Sequence, residues 1–344
     1  MTAIKVVAFG GGHGLSASLR ALRSAAGLDL DITAVVTVAD DGGSSGRLRA
    51  QRNALPPGDL RQALAALAGS DPVNQLTAEL FQHRFQADPG ERRVAGGPDD
   101  RGCAPVADAA LELPTDPLTG HAVGNLVLCG LMEMLGNPVA ALDHVARMIG
   151  VTGRVLPMSC EPLGIEAEVR GADPGRPGQV VTVRGQHAVA VTPGLVETVR
   201  LTPKGPAACP QALEAVAAAD WLIFGPGSWY TSVIPHLLVP ELASAIVASP
   251  ARRLVNLNLA AEKETDGLSV ADHLAALSWY LPELHVDTVL ADGKAVGDPE
   301  PVGRAAESLG ARLVLAPVSV ADGSPRHDFE ALGAALVPLL GADR

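Results

Sequence analysis

Thr33-Ala34-Val35-Val36-Thr37-Val38-Ala39-Asp40-Asp41-Gly42-Gly43-Ser44-Ser45-Gly46-Arg47-Leu48-Arg49 is the stretch whose reading decides the fold. A Val-rich apolar run meets two carboxylates and then glycines and serines, the pattern of a buried strand spilling into a polar loop at its C-terminal edge. Open parallel sheets bind their ligands at that edge. Upstream, Lys5-Val6-Val7-Ala8-Phe9 stops at Gly10-Gly11-Gly12-His13-Gly14, and Leu15, Leu19 and Leu22 then recur at helical spacing. Strand, glycine loop and helix make the first half of a βαβ unit. Paired strands would set the two loops side by side.

The glycine loop does not fit the dinucleotide fingerprint G-x-G-x-x-G, because Leu15 stands where its last glycine belongs. It offers backbone N–H groups at a helix start, which favour a phosphate; a tight turn needing glycine for close packing is the plainer reading. After the second strand, expected over Asp31 to Val38, Asp40 and Asp41 stand roughly where a nucleotide-binding α/β fold places an acid for a ribose hydroxyl. Neighbouring side chains on extended backbone alternate in direction, so only one of the pair can enter a given pocket. The other would cap the loop, hold a metal or face solvent. Ser44, Ser45, Arg47 and Arg49 add donors suited to phosphate or carboxylate.

Further on, Asp59 is placed as N-cap of a helix carrying Leu60, Leu64 and Leu67. Residues 83–119 turn to Pro, Gly, Asp and Arg and read as a long loop or lid. His121, Gly124 and Asn125 open an apolar helix, with His121 expected in a cap or polar contact and Asn125 offering a donor and an acceptor. Short β-branched runs at Glu166 to Arg170, Val180 to Arg184, Ala188 to Thr192 and Val196 to Leu201 predict a small β-meander inserted over 165–203. The α/β rhythm resumes with a helix over Gln211 to Ala219 and the strand Trp221-Leu222-Ile223-Phe224. That strand ends in Gly225-Pro226-Gly227-Ser228-Trp229-Tyr230-Thr231-Ser232, a third small-residue loop and another anion site. Strands near 253–259, 286–291 and 312–316, with helices over 270–280 and 329–340, complete one Rossmann-like α/β domain over 1–344, a mostly parallel sheet with helices on both faces.

Composition narrows the function. A formal net charge of -12 repels nucleic acid and anionic membrane alike. No run approaches the 18 or so apolar residues of a membrane span. The four cysteines form no Cys-x-x-Cys pair, and no zinc or other metal set is visible. With a start that lacks a signal-peptide pattern, the expectation is a cytoplasmic protein with reduced thiols.

Five motifs in order, Gly10 to Ser16, Thr37 to Arg49, Pro56-Pro57-Gly58-Asp59-Leu60-Arg61, Gly120 to Leu126 and Gly225 to Pro235, resemble the gluconeogenesis factor (YvcK-like) family. That family is a sister of the CofD-like 2-phospho-L-lactate transferases of coenzyme F420 biosynthesis. The resemblance implies a nucleotide-sugar binding regulator, with a UDP-sugar such as UDP-N-acetylglucosamine as ligand, linked to cell shape and peptidoglycan synthesis. A binding or regulatory role ranks ahead of catalysis, which is left open, and no catalytic residue is assigned. It places Gly10, Gly11, Gly12, His13, Gly14, Gly225, Gly227, Ser228 and Thr231 at phosphates. Asp40 or Asp41 takes ribose or sugar hydroxyls, Asn125 and Tyr230 orient the remainder, and Thr37, Ser44, Ser45 and Asp59 are further binding residues. A homodimer and cell-wall synthesis proteins are the partners it suggests. The alternative is a transferase like the sister group, in which Asp40, Asp41 or Asp59 holds Mg2+. Two motifs depart from the family pattern: His13 replaces a threonine, and Leu259 to Thr265 keeps only Glu264 and Thr265 of Met-Thr-Gln-Pro-Gly-Glu-Thr.

Overall fold

A computed structural model describes residues 2–52, 54–87, 116–173, 175–176, 178–260, 263–265 and 268–342. Seven strands form one sheet: β1 (Ile4–Gly10), β2 (Leu30–Val36), β3 (Arg154–Pro157), β7 (Trp221–Phe224), β8 (Arg252–Asn256), β9 (Thr288–Ala291) and β10 (Arg312–Leu315). Their order is β10-β9-β8-β7-β1-β2-β3, and every pairing is parallel. β7 and β9 are buried at all four positions and β1 at all but Lys5. Side chains of a strand alternate between faces, so continuous burial means that helices cover both faces of the sheet.

Between β1 and β2 runs α1 (Gly12–Ser24), packed on α3 (Pro57–Ala66) and α14 (Phe329–Leu340). α8 (Pro210–Ala218) packs on α10 (Pro240–Ala248), and α11 (Val270–Tyr280) on α13 (Pro299–Ser308). Phe9 and Phe224 stack in the centre of the sheet with ring centroids 4.9 Å apart. A separate three-stranded antiparallel sheet, β5-β4-β6, comprises β4 (Gly164–Arg170), β5 (Val180–Arg184) and β6 (Leu195–Thr202). Among the described residues no single helix is long and apolar enough to cross a membrane.

The structure corrects several local expectations. Ala188 to Thr192 is not a strand: the insert holds three strands and a helix, α7 (Gln186–Val191). Gly185, at φ 98°, turns the chain out of β5, and Asp41 Oδ1 then accepts the His187 N–H at 2.9 Å, which anchors the first turn of α7. Asp59 is not an N-cap; Pro56 holds that position and Asp59 is the third residue of α3. The glycine–serine stretch after Asp41 is a loop only as far as Gly42, because Ser44, Ser45 and Gly46 lie in the first turn of α2 (Gly43–Arg52). β3 fills an edge that the sequence reading leaves without a strand. Most of the long loop expected at 83–119, residues 88–115, lies outside the described residues.

Candidate functional site

β1 pairs with β2 on one side and with β7 on the other, so the loops that leave the three strands converge at one edge. The order of the chain reverses between β1 and β7, and the crevice of a doubly wound sheet opens at such a point. A pocket of about 620 Å³ lies there. Gly11, Gly12, His13 and Gly14 line it from the start of α1, and Asp40 from the loop after β2. Asp59 enters from α3, and Gly227, Ser228, Thr231 and Ser232 from the segment after β7.

The glycines are there because two backbones touch. A Cβ added at Gly14 would stand 2.3 Å from Pro226 O and 2.5 Å from Gly227 Cα. One at Gly11 would stand 2.5 Å from both Asp59 Oδ2 and Thr37 Cγ2. Ser18 Oγ donates to Gly225 O at 2.8 Å, which ties α1 to the third loop from inside the fold. On the far side of that loop, Asn258 accepts from the Gly227 N–H at 2.8 Å and donates to Gly227 O at 2.9 Å. The N-cap of α1 is Gly11, which has no capping side chain, and the Gly12 N–H goes to the Asp59 carboxyl. The other first-turn N–H groups and the helix dipole give this wall a positive end suited to an anion.

The two adjacent acids part company. Asp40 lines the pocket, with Oδ1 accepting from the Gly42 N–H at 2.9 Å, while Asp41 turns away to hold α7. Asp59, 7% exposed, is pushed up to about 7 by burial and by the nearby Asp40 charge. The Gly12 N–H, Arg61 and Gln186 pull it the other way. Asp59 Oδ2 has no hydrogen-bond partner. Among the described residues no group of three or more His, Cys, Asp or Glu could hold a metal. A Mg2+ at Asp40 and Asp59 would fill its octahedron mainly with water and ligand oxygens.

Several expected residues lie behind the pocket wall. Gly10 ends β1 and Gly225 follows β7, where their conformations shape the loops. Thr37 is fully buried, its N–H donating to Gly10 O at 3.0 Å. Ser44, Asn125 and His121 form a buried relay with Arg61. Arg61 Nε donates to Asn125 Oδ1 at 2.8 Å, Asn125 Nδ2 to Ser44 Oγ at 3.0 Å, and Ser44 Oγ meets His121 Nδ1 at 2.9 Å. These side chains join α2, α3 and α5 (Val123–Leu135). Ser45 is buried under Gly58. Tyr230 is buried in the π-helical turn Trp229–Val233, its N–H donating to Glu264 Oε1 at 2.8 Å.

Three parts of the wall had no assigned site residue in the sequence reading. α7 contributes Gln186, His187 and Ala190; Asn258, Leu259 and Ala260 follow β8; Pro325, Arg326 and His327 precede α14. Gln186 Oε1 and His327 Nε2 are buried without partners. Burial drops His327 to about 4, against the pull of a hydrogen bond to the Leu257 backbone and of Asp292, so the ring is neutral at pH 7. The β-hairpin character of 165–203 gave the one usable signal for α7, as an insertion beside a binding edge.

Residues 6–310 match the family described as 2-phospho-L-lactate transferase CofD. A relative from Mycobacterium tuberculosis is 47% identical over 335 residues, covering 96% of this chain and 89% of its own. A Bacillus subtilis relative named gluconeogenesis factor is 35% identical, covering 90% of this chain and 84% of its own. This chain belongs to the gluconeogenesis factor family. A crystal structure of a UPF0052 family member from Bacillus halodurans superposes with a TM-score of 0.78 at 32% identity, over 98% of this chain and 99% of that one. The relation of gluconeogenesis factors to CofD agrees with the five sequence motifs, and the α/β fold agrees with the solved relative. Within this gluconeogenesis factor, Pro325, Arg326 and His327 lie beyond the CofD match and still reach the pocket.

Proposed function

We propose that the pocket binds a nucleotide sugar of the UDP-sugar class, UDP-N-acetylglucosamine being the representative, and that the protein acts as a binding regulator. The observation that carries this reading is the backbone contact of the Gly11 to Gly14 and Pro226 to Ser228 loops at the strand-order reversal. A diphosphate fits against the glycine-rich start of α1 beside Asp59, and Asp40 accepts from ribose or sugar hydroxyls. Gln186 Oε1 and His327 Nε2 supply further acceptors on the opposite wall. In this reading the protein works in the cytoplasm, with cell-wall synthesis proteins as partners and cell shape as the output. The apolar stripe Val73, Leu76 and Leu80 on α4 (Pro72–Gln82), each more than half exposed, supports a homodimer. Isothermal titration with UDP-N-acetylglucosamine should give saturable heat that Asp40→Ala abolishes. No heat and no thermal protection at millimolar ligand would sink the reading.

One observation favours a second reading. Asp40 and Asp59 face one cavity closely enough for the Asp40 charge to raise Asp59, as two ligands of one Mg2+ would. The ion would supply charge to stabilise a diphosphate leaving group, as in a 2-phospho-L-lactate-transferase-like enzyme. The chain's own part would be to orient the diphosphate on the glycine loops. Turnover of a nucleoside-diphospho acid with a deazaflavin alcohol and Mg2+ would place this reading first.

A further inference from the structure

β10 lies at the far edge of the sheet, yet the segment that follows it returns to the pocket beside β1 and β7. Residues 318–328 form an arm closed on itself. The Asp328 N–H donates to Val318 O at 2.8 Å and the Val320 N–H to Arg326 O at 3.0 Å, with an antiparallel bridge between Ser319 and His327. Asp292, 2% exposed, fixes the root of the arm. Its Oδ2 accepts from the Val318 and Ser319 N–H groups at 2.9 and 3.0 Å, while Oδ1 accepts from the Lys294 N–H at 2.8 Å. The arm is thus held firmly where Pro325, Arg326 and His327 line the pocket.

Arg326 is the only lysine or arginine among the described residues that line this pocket. Arg49 and Arg61 stay behind the wall, donating to Ala39 O at 3.3 Å and to Asn125 Oδ1 at 2.8 Å. Two nitrogens hold the Arg326 guanidinium in plane: Nε donates to Ser324 Oγ at 2.9 Å, and Nη2 to Asp322 Oδ2 at 2.7 Å. Nη1 meets no acceptor among the described residues. Asp322, drawn down to about 2 by the Ser324 hydroxyl and N–H and by Arg326, stays ionised at neutral pH. It does not line the pocket, so the pair turns its cation toward the cavity and keeps its anion outside.

We propose that Arg326 selects the pocket's ligand by charge, favouring a diphosphate over a single phosphate, and that Asp292 and Asp322 are the positioning residues that aim it. This rests on the reading of the pocket as a phosphate site. The glycine loops offer N–H dipoles without net charge, and Asp40 and Asp59 on the same wall oppose an anion. A multiply charged ligand therefore needs a cation from elsewhere, and the arm supplies it. Guanidinium–phosphate hydrogen bonds are charge-assisted, and Nη1 keeps its donors for one. Because Arg326 is largely exposed, salt screens its attraction over about 10 Å at 0.1 M.

The test is isothermal titration of the full chain with inorganic phosphate, inorganic pyrophosphate and UDP-N-acetylglucosamine at low and high salt. Pyrophosphate should bind more tightly than phosphate, with an affinity that falls as salt rises. Arg326→Gln should weaken pyrophosphate and UDP-N-acetylglucosamine about tenfold and flatten the salt dependence. Asp322→Asn removes the counter-charge and keeps an acceptor for Nη2, so it should tighten pyrophosphate severalfold. Both side chains are exposed, so the melting temperatures of the two variants should stay near wild type, which separates lost attraction from lost fold. Unchanged pyrophosphate affinity in Arg326→Gln overturns the proposal, as does weaker binding in Asp322→Asn. Pyrophosphate carries no nucleoside or sugar: if it binds through Arg326 while UDP-N-acetylglucosamine gives no heat, the nucleotide-sugar reading fails and this one stands. UDP-N-acetylglucosamine binding that ignores Arg326→Gln has the opposite meaning. No heat from either ligand overturns both.

Discussion

Asp59 sits at the balance point of its own ionisation. Its carboxyl, ordinarily near 4, is held at about 7 by burial and by Asp40. A raised carboxyl favours the protonated native state, so its contribution is complete below about pH 4 and is lost as pH rises through 7. Each tenfold change in proton affinity corresponds to about 1.4 kcal/mol. Asp59→Asn should therefore match wild type at pH 4 and exceed it at pH 8 by a few kcal/mol, read by urea denaturation at the two pH values. Gly14 gives a test of opposite character. Alanine in a helix gains about 1 kcal/mol over glycine from propensity. At Gly14 the new methyl would stand 2.3 Å from Pro226 O, and overpacking of this kind costs about 1–3 kcal/mol. Gly14→Ala should lower the melting temperature and, if the proposed ligand binds here, abolish its heat, because the clash parts the two glycine loops.

At the scale of elements, legibility follows how local the cause is. α11 and α14 match the ranges read from sequence because their ends are set by near neighbours. A Ser269–Asp272 capping box starts α11, and Asp328 accepts from the Glu330 and Ala331 N–H groups at the start of α14. α7 was unreadable for the contrary reason. Four of its six residues, Ala188 to Val191, alternate Ala and Val like a strand, and Asp41, 146 positions upstream, holds its first turn. Asp41→Ala should cost about 1.5–3 kcal/mol, the worth of a hydrogen bond to a charged acceptor, and speed hydrogen exchange across α7. By contrast, Glu166 meets Arg184 and Arg200 at 2.8 Å on the open face of the insert. Exposed ion pairs contribute little, so Glu166→Gln should leave the melting temperature close to wild type.

For the whole molecule, the glycine loops at one sheet edge were legible as a local pattern, since glycines follow the apolar strands directly. The opposite wall was not legible. Gln186 and His327 come from segments with no phosphate-loop pattern of their own, and only the folded chain brings them to the same cavity. The acid response is likewise a property of the assembled core. His236, fully buried with Nε2 3.0 Å from Val35 O, is pushed down to about 4 by burial. A depressed histidine leaves the unfolded chain holding the extra proton, so its contribution is present above about pH 6.5 and lost as pH falls toward 4. Asp59 acts in the reverse sense across an overlapping range, which flattens the wild-type profile. Asp59→Asn should expose the slope of the two depressed histidines, His236 and His327, seen as stability that rises with pH between 4 and 6.5.

The central place of β1 has a consequence for the order in which the protein is made. β1 is made before the other strands of its sheet, and one of its edges finds β2 soon afterwards. The other edge waits for β7: the Lys5 N–H meets Asp220 Oδ2 only after 215 further residues have been synthesised. Such distant pairing is entropically slow and leaves a bare hydrogen-bonding edge in the nascent chain. The glycine loop that ends β1 gains its facing loop at that same late step. The edge where the two glycine loops meet is thus complete only once β7 has been made, and a chaperone shielding an apolar edge has its longest task in that interval.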